Sequence, residues 1–254
     1  MVLQADQELL TTSSPRVLVT TAVPVERDAV ARAFAGPARE EPLPALPGAA
    51  LHRLPGPPAV DVIAAGVGPA LAATTTASAL TAAALGGAPY DLVVSAGIAG
   101  GFAPHAPVGS LVVADEITAA DLGAETGEGF LPVTELGFGT VTHRPPEALV
   151  RAIAAAVPAR TGTVLTVSTV TGTAARADAL RARHPGALAE AMEGFGVAEA
   201  AAAHRVPVLE VRAVSNPVGP RDRAAWRIGD ALAALTEGFG KLAPVLTSWN
   251  PHEP

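Results

Sequence analysis

The stretch from Val60 to Ser95 does most to restrict what this chain can fold into. An apolar run, Val60–Ala65, stops at Gly66-Val67-Gly68, and Pro69 then opens an Ala- and Thr-rich segment that ends at Gly86-Gly87. Proline suits the first position of a helix, where its missing N–H has no partner to lose. A second apolar run, Asp91–Ser95, follows. Strand, helix and strand in this order make a β-α-β unit, with parallel strands and a right-handed crossover expected. No charged residue lies between Asp61 and Asp91. A bilayer span needs about 20 strongly apolar residues, and this segment is too rich in Gly and Thr to supply them. A buried strand and helix is expected, and no membrane association.

The same logic extends along the chain. Arg16–Thr20 reads as a strand, and Pro24 opens a helix with Glu26 in its first turn. A carboxylate there is favoured by the helix dipole, which by itself accounts for it. Gly36–Pro58 reads as a Pro-rich hairpin or loop, and Gly109–Ala114 as a strand closed by Asp115-Glu116. The Gly-rich segment 119–139 reads as a long loop, a length usually kept for lids or contacts. Helices are expected at Glu147–Ala156 and Ala174–Arg183, with a strand at Gly162–Ser168 between them. Met192-Glu193 opens an Ala-rich helix, and the β-branched run Val206–Val214 ends at Ser215-Asn216-Pro217. Asp230–Leu246 closes the chain as a helix. There are no repeats and no linker, so one α/β domain is expected over 16–246. A polar tail at 1–15, without the features of a signal peptide, and a tail at 247–254 flank it.

Hydrophobic residues make up 49% of the chain, enough for a substantial core. The net charge of −7 and a pI near 5.3 argue against a nucleic-acid partner, which calls for a basic patch. Cysteine is absent, which removes thiol nucleophiles, disulfides and Cys-based metal sites and fits a cytoplasmic protein. No two of the six histidines stand at metal-ligand spacing, so no metal is expected. The Gly66-Val67-Gly68 turn invites a dinucleotide reading. That fingerprint wants an acid at the end of the second strand, whereas Asp91 opens that strand. No cofactor is expected. What remains is a set of residues at element ends: Glu26, the Gly-rich loop 96–101, Glu193, Ser215 and Asn216. In open α/β sheets, ligands bind outside the carboxyl ends of the strands.

Four segments in order resemble the nucleoside phosphorylase/nucleosidase family. They are Gly97-Ile98-Ala99-Gly100-Gly101, Gly109–Glu116, Ala191-Met192-Glu193-Gly194 and Val211–Asn216. The resemblance covers about residues 16–245. It implies a three-layer α/β/α fold around a central mixed, partly barrel-like sheet, cleavage of an N-ribosidic bond in a small-molecule nucleoside, and a homo-oligomer. It also implies roles. Glu26 matches the water-activating glutamate, Glu193 the binder of ribose hydroxyls, and Met192 the residue packed on the sugar. Asn216, beside Ser215, matches the purine contact. Ile98, Ala99 and Gly100, with Val170 and Thr171 of the loop Thr169–Thr173, match the substrate-lining segments.

Where adenine-releasing relatives carry Asp, this chain carries Asn216, whose amide both donates and accepts hydrogen bonds and suits a 6-oxopurine. The run Pro217–Trp226 is similar to the branch that acts on such a nucleoside with a carboxylate on its 5′ substituent. Arg221 or Arg223 would bind that carboxylate, unless both are solvated helix-start charges. Two departures stand out. Ala191 replaces a Glu common in the family, and the loop Thr169–Thr173 lacks the aromatic that stacks on the base. Phe195 is the candidate substitute, with core packing its alternative. A phosphorylase would need an anion site, and Thr20-Thr21-Ala22-Val23-Pro24 lacks the Gly-rich turn for one. Asn216 disfavours an adenine nucleosidase. The pairing of Glu26 with Glu193 disfavours a module that binds nucleotides without catalysis.

Overall fold

The computed structural model describes residues 14–250. Most of the expected N-terminal tail, and residues 251–254 at the other end, lie outside the described residues. Strand β1 (Arg16–Thr21) is buried almost throughout and leads into helix α1 (Pro24–Ala31). A hairpin of β2 (Arg39–Pro42) and β3 (Ala50–Leu54) follows, within the Pro-rich segment. Then come β4 (Ala59–Ala64), α2 (Pro69–Leu85) and β5 (Leu92–Gly101). Both β4 and β5 pair parallel with β1, which lies between them. The β-α-β reading therefore holds, with β1 inserted.

The second half supplies β6 (Leu111–Ala119), a two-stranded ribbon of β7 (Gly123–Thr126) and β8 (Gly129–Pro132), and β9 (Thr142–His143). It continues with α3 (Glu147–Ala156), β10 (Ala159–Thr166), α4 (Ala174–Arg183), β11 (Ala187–Ala191), α5 (Gly194–Ala203), β12 (Val208–Pro217) and α6 (Ile228–Ser248). Five strands close on themselves in the order β5-β12-β6-β10-β11-β5, and β1, β4, β3 and β2 extend the sheet beyond that ring. Parallel and antiparallel pairings coexist, as expected of a mixed, partly barrel-like sheet.

Alternation along the strands builds the layers. Val17 and Val19 of β1 face a core shared with Val30 of α1, Leu149 and Ile153 of α3, and Leu235 and Phe239 of α6. Leu18 faces the opposite core, shared with Ala72 and Leu80 of α2 and Val197 and Ala201 of α5. Successive side chains of a strand point to opposite faces, so one strand serves both cores. Among the described residues, no helix is long and apolar enough to cross a membrane.

Several element ends differ from the sequence reading. Residues 96–101 are not a loop: β5 runs through them, paired with β12 as far as Gly101 and with β11 at Gly100 and Gly101. Asp115-Glu116 does not close a strand, because β6 continues to Ala119 beside β10 and β9. The segment 119–139 contains the β7–β8 ribbon. Strand β12 passes through Ser215 and Asn216 to Pro217, with a register shift between Val214 and Asn216. In each case the partner strand supplies hydrogen bonds that a residue's own propensity does not foretell.

The barrel creates the site. Strand β5 pairs with β1 only through Ser95, then turns away and takes β11 as its neighbour at Gly100 and Gly101. A gap opens where β1 leaves and β11 arrives, at the carboxyl ends of β1, β5, β11 and β12.

Candidate active site

A cavity of about 560 Å³ fills that gap. It is lined by Glu26, Ile98, Ala99, Gly100, Val170, Thr171, Met192, Glu193, Ser215, Asn216 and Arg221, so the fold gathers residues spread over nearly two hundred positions. Val67, Glu190, Arg223 and Trp226 also line it. Phe195 does not. As the second residue of α5, its N–H is taken by Thr166 Oγ1 at 2.9 Å, and its ring packs 5.4 Å from the ring of His143. The stacking role expected of Phe195 is therefore corrected to core packing.

Glu26 is held by backbone donors. Its Oε2 accepts from the N–H groups of Ala22 at 3.0 Å and Val23 at 3.2 Å, and Oε1 accepts from Ile98 at 2.9 Å. The bond from Val23 caps the start of α1, so the helix-start reading and the site reading describe the same carboxylate. Burial raises the Glu26 pKa above the usual carboxylate value. The Ile98 N–H and the Arg212 charge oppose that rise without cancelling it. Gly97 makes the approach possible: a Cβ there would lie 2.6 Å from Glu26 Oε1 and 2.8 Å from an Arg212 terminal nitrogen.

Glu193 precedes α5. Its Oε1 accepts from the Gly68 N–H at 3.1 Å, and its Oε2 accepts from the Met192 N–H and from Arg212, both at 3.3 Å. The Gly66-Val67-Gly68 turn thus contributes a backbone donor to the Glu193 carboxylate. Behind the pair lies Arg212, 1% exposed, which donates to Glu210 at 2.8 Å and to Ser95 Oγ at 3.0 Å. Burial opposes the Arg212 charge, but Glu210, Glu193 and Glu26 outweigh it and raise its pKa. Burial also raises the pKa of Glu210. Arg212 and Glu210 were not among the site residues expected from the sequence. The usable signal was two charges at i and i+2 inside the apolar run Val208–Val214, which puts both on one face of a buried strand.

At the other end of the cavity, Asn216 Nδ2 donates to the Pro217 carbonyl at 3.0 Å, and Oδ1 accepts from Ser215 Oγ at 2.8 Å. A carbonyl only accepts, so the Pro217 contact settles which way the amide points. One N–H and one lone pair of the amide stay uncommitted. Next to it, Arg221 and Arg223 lie over the Trp226 ring, 5.4 and 5.7 Å from its centroid. Neither makes an ion pair among the described residues. Glu190, 6% exposed, accepts from the N–H of Thr171 at 2.8 Å and from its hydroxyl. Burial raises the Glu190 pKa against those two bonds.

The Phosphorylase superfamily profile matches residues 16–245. The chain belongs to that superfamily. Within it, the chain is 77% identical to the futalosine hydrolase of Streptomyces coelicolor, over 93% of this chain and 99% of the relative. It is 44% identical to the futalosine hydrolase of Acidothermus cellulolyticus, over 90% and 91%. Among solved structures, a futalosine hydrolase mutant of Helicobacter pylori superposes with a TM-score of 0.76 at 17% identity, covering 91% of this chain and 99% of that one. The 5′-methylthioadenosine/S-adenosylhomocysteine nucleosidase of Colwellia psychrerythraea, in complex with adenine, gives 0.75 at 21% identity, covering 92% and 95%. These likenesses support the superfamily's three-layer fold for this chain.

Proposed function

We propose that this chain is an N-glycosyl hydrolase that cleaves the N-ribosidic bond of futalosine, releasing hypoxanthine and dehypoxanthinylfutalosine. The observation that carries this reading is the meeting, in one cavity, of a backbone-held carboxylate (Glu26), a Met192-Glu193 pair and a neutral amide (Asn216). The high identity to curated futalosine hydrolases supports it. Water attacks C1′ as the bond from C1′ to the purine nitrogen breaks, and Glu26 takes the proton from the water. The electron pair of the broken bond moves into the purine. There the uncommitted Asn216 N–H donates to a ring nitrogen and stabilises the leaving base, which takes up a proton from solvent to leave as hypoxanthine while Glu26 returns its proton to solvent. Glu193 binds the ribose hydroxyls and Met192 packs on the sugar, while the charge of Arg212 offsets the repulsion between Glu26 and Glu193.

Arg221 and Arg223 at the Trp226 end suit a benzoate carried on the 5′ side of the ribose, with the ring against the indole and the carboxylate on guanidinium. The substrate implies a place in menaquinone biosynthesis, and the reading includes a cytoplasmic homo-oligomer. The test is chromatography of products from futalosine, inosine and methylthioadenosine, with and without phosphate. Hypoxanthine released fastest from futalosine, at a rate indifferent to phosphate, is expected. Release that requires phosphate, or adenine from methylthioadenosine as the best reaction, reverses the assignment.

A further inference from the structure

Glu190 is a buried carboxylate in the cavity that the mechanism above does not use. Its position follows from the barrel. In the strand pairing, Glu190 of β11 and Asn216 of β12 are both register partners of Gly100, one on each side of β5. Register partners face the same way, so both side chains rise from the same face, two strand spacings or about 10 Å apart along the sheet. Gly100 lies between them without a side chain: a Cβ there would stand 2.9 Å from Val218 Cγ2 and 3.4 Å from Asn216 Nδ2, and Glu190, Gly100, Asn216 and Val218 all line the cavity. The space so enclosed has an amide on one wall and a carboxylate on the other.

The hydrogen bonds fix what that second wall offers. The loop Thr169–Thr173 has a backbone donor at Thr171, but this N–H and the Thr171 hydroxyl are both directed into Glu190. The cavity is therefore presented with the carboxylate's remaining lone pairs in place of a backbone N–H. An ionised carboxylate accepts only, with about four lone-pair sites, two of which Thr171 occupies. The two purine classes differ at the facing edge. A 6-oxopurine carries a hydrogen on N1, whereas a 6-aminopurine has a bare lone pair there.

We propose that Glu190 is a specificity-determining residue that accepts a hydrogen bond from N1–H of a 6-oxopurine and repels the N1 lone pair of a 6-aminopurine. This rests on the purine-nucleoside reading of the cavity and adds a second base contact, opposite Asn216. A charge-assisted bond to a carboxylate is stronger than a neutral one, and sites built around such bonds reject analogues that cannot complete them. Glu190 also compensates for the missing stacking aromatic: orientation of the base comes from two polar walls instead of a ring.

The test compares binding of free hypoxanthine, 1-methylhypoxanthine and adenine to the full chain by calorimetry or product inhibition. The 1-methyl base keeps O6 and N7 and carries a methyl group in place of the N1 hydrogen. The unmodified protein is expected to prefer hypoxanthine to each of the other two by at least about tenfold. Glu190→Gln retains an oxygen for the Thr171 N–H and turns an N–H toward the base. It is expected to shrink the hypoxanthine-to-adenine ratio by about tenfold or more. Equal binding of hypoxanthine and its 1-methyl derivative by the unmodified protein overturns the proposal without relying on any variant. So does a Glu190→Gln protein that binds all three bases more weakly in the same proportion, the signature of a residue that merely braces the loop. A protein that binds none of the bases overturns the purine reading of the cavity, and this proposal with it.

Discussion

At Glu26 the needs of folding and of chemistry pull in opposite directions. The folded pKa is raised, chiefly by burial. A neutral carboxyl is therefore the form the fold prefers, and its contribution to stability is present at low pH and lost as pH rises through the folded pKa. The proposed base needs the ionised form, so the group is active where it stabilises the fold least. Turnover is expected to fall on the acid side at a higher pH than an unperturbed glutamate would give, and a profile of kcat/KM against pH reads this directly. Glu26→Gln keeps the shape and removes the base. It is expected to lower turnover by about 10²- to 10⁴-fold while the Kd for hypoxanthine changes little; a variant that still turns over removes Glu26 from this role.

Asn216 makes a sharper case. Its Nδ2 faces the Pro217 carbonyl, so an aspartate there sets oxygen against oxygen unless it takes up a proton. Such a proton also suits adenine-type leaving groups. Asn216→Asp is expected to shift the kcat/KM ratio of 6-oxo to 6-amino nucleosides toward the latter by about tenfold. An unchanged ratio would count against base recognition by this amide.

Among the elements, α5 and α6 each carry glycines inside a helix, and space decides what each tolerates. Alanine is favoured over glycine in a helix by about 1 kcal/mol. At Gly196 of α5, a Cβ would lie 2.1 Å from the Pro69 carbonyl oxygen at the start of α2, a backbone atom that cannot swing aside. Overpacking costs about 1–3 kcal/mol or more, so Gly196→Ala is expected to lower Tm and to push α2, with the Gly68 donor, away from Glu193. At Gly240 of α6, nothing lies within 4 Å of the same atom. Gly240→Ala is expected to raise stability by about 0.5–1 kcal/mol. Thermal melts of the two variants should move in opposite directions, and a common direction would refute the packing argument.

The helices were legible in the sequence because Pro24, Pro69 and the Gly86-Gly87 stop act locally. The ring closure was expected only through the family resemblance, as a partly barrel-like sheet, and not from local pattern. Strand β11 is five residues of mostly alanine, with no apolar period to mark it, and its pairing with Gly100 and Gly101 exists only in three dimensions. Glu26, Met192, Glu193 and Asn216 stood out because they sit at element ends. Glu190 and Arg212 lie within strands, and their roles depend on Thr171, Glu193 and Ser95, none closer than nineteen positions in the chain. Phe195 shows the converse error: it stands next to a motif in sequence yet does not line the cavity.

For the whole molecule, the rim of the cavity raises the question of assembly. Val67 and Val170 line it and are 52% and 39% exposed, and Leu71, in the first turn of α2, is 57% exposed. Apolar side chains grouped at the mouth of a site that must exclude water are costly in an isolated subunit, and water at C1′ in excess of the attacking molecule weakens each electrostatic contact within. Burying apolar surface is favourable by about 25 cal/mol per Å², so a second copy seated on this rim would both gain stability and close the site. Were the proposed homo-oligomer to form on this rim, it would have a mechanistic purpose: subunits would complete one another's 5′ end. Turnover of futalosine per subunit is expected to fall on dilution, in step with dissociation followed by sedimentation, and Leu71→Asp should produce the same loss at concentrations where the parent protein is still associated. Constant turnover across dissociation, or a monomer at every concentration with full activity, would show that a single subunit closes its own site and that the exposed rim serves another end.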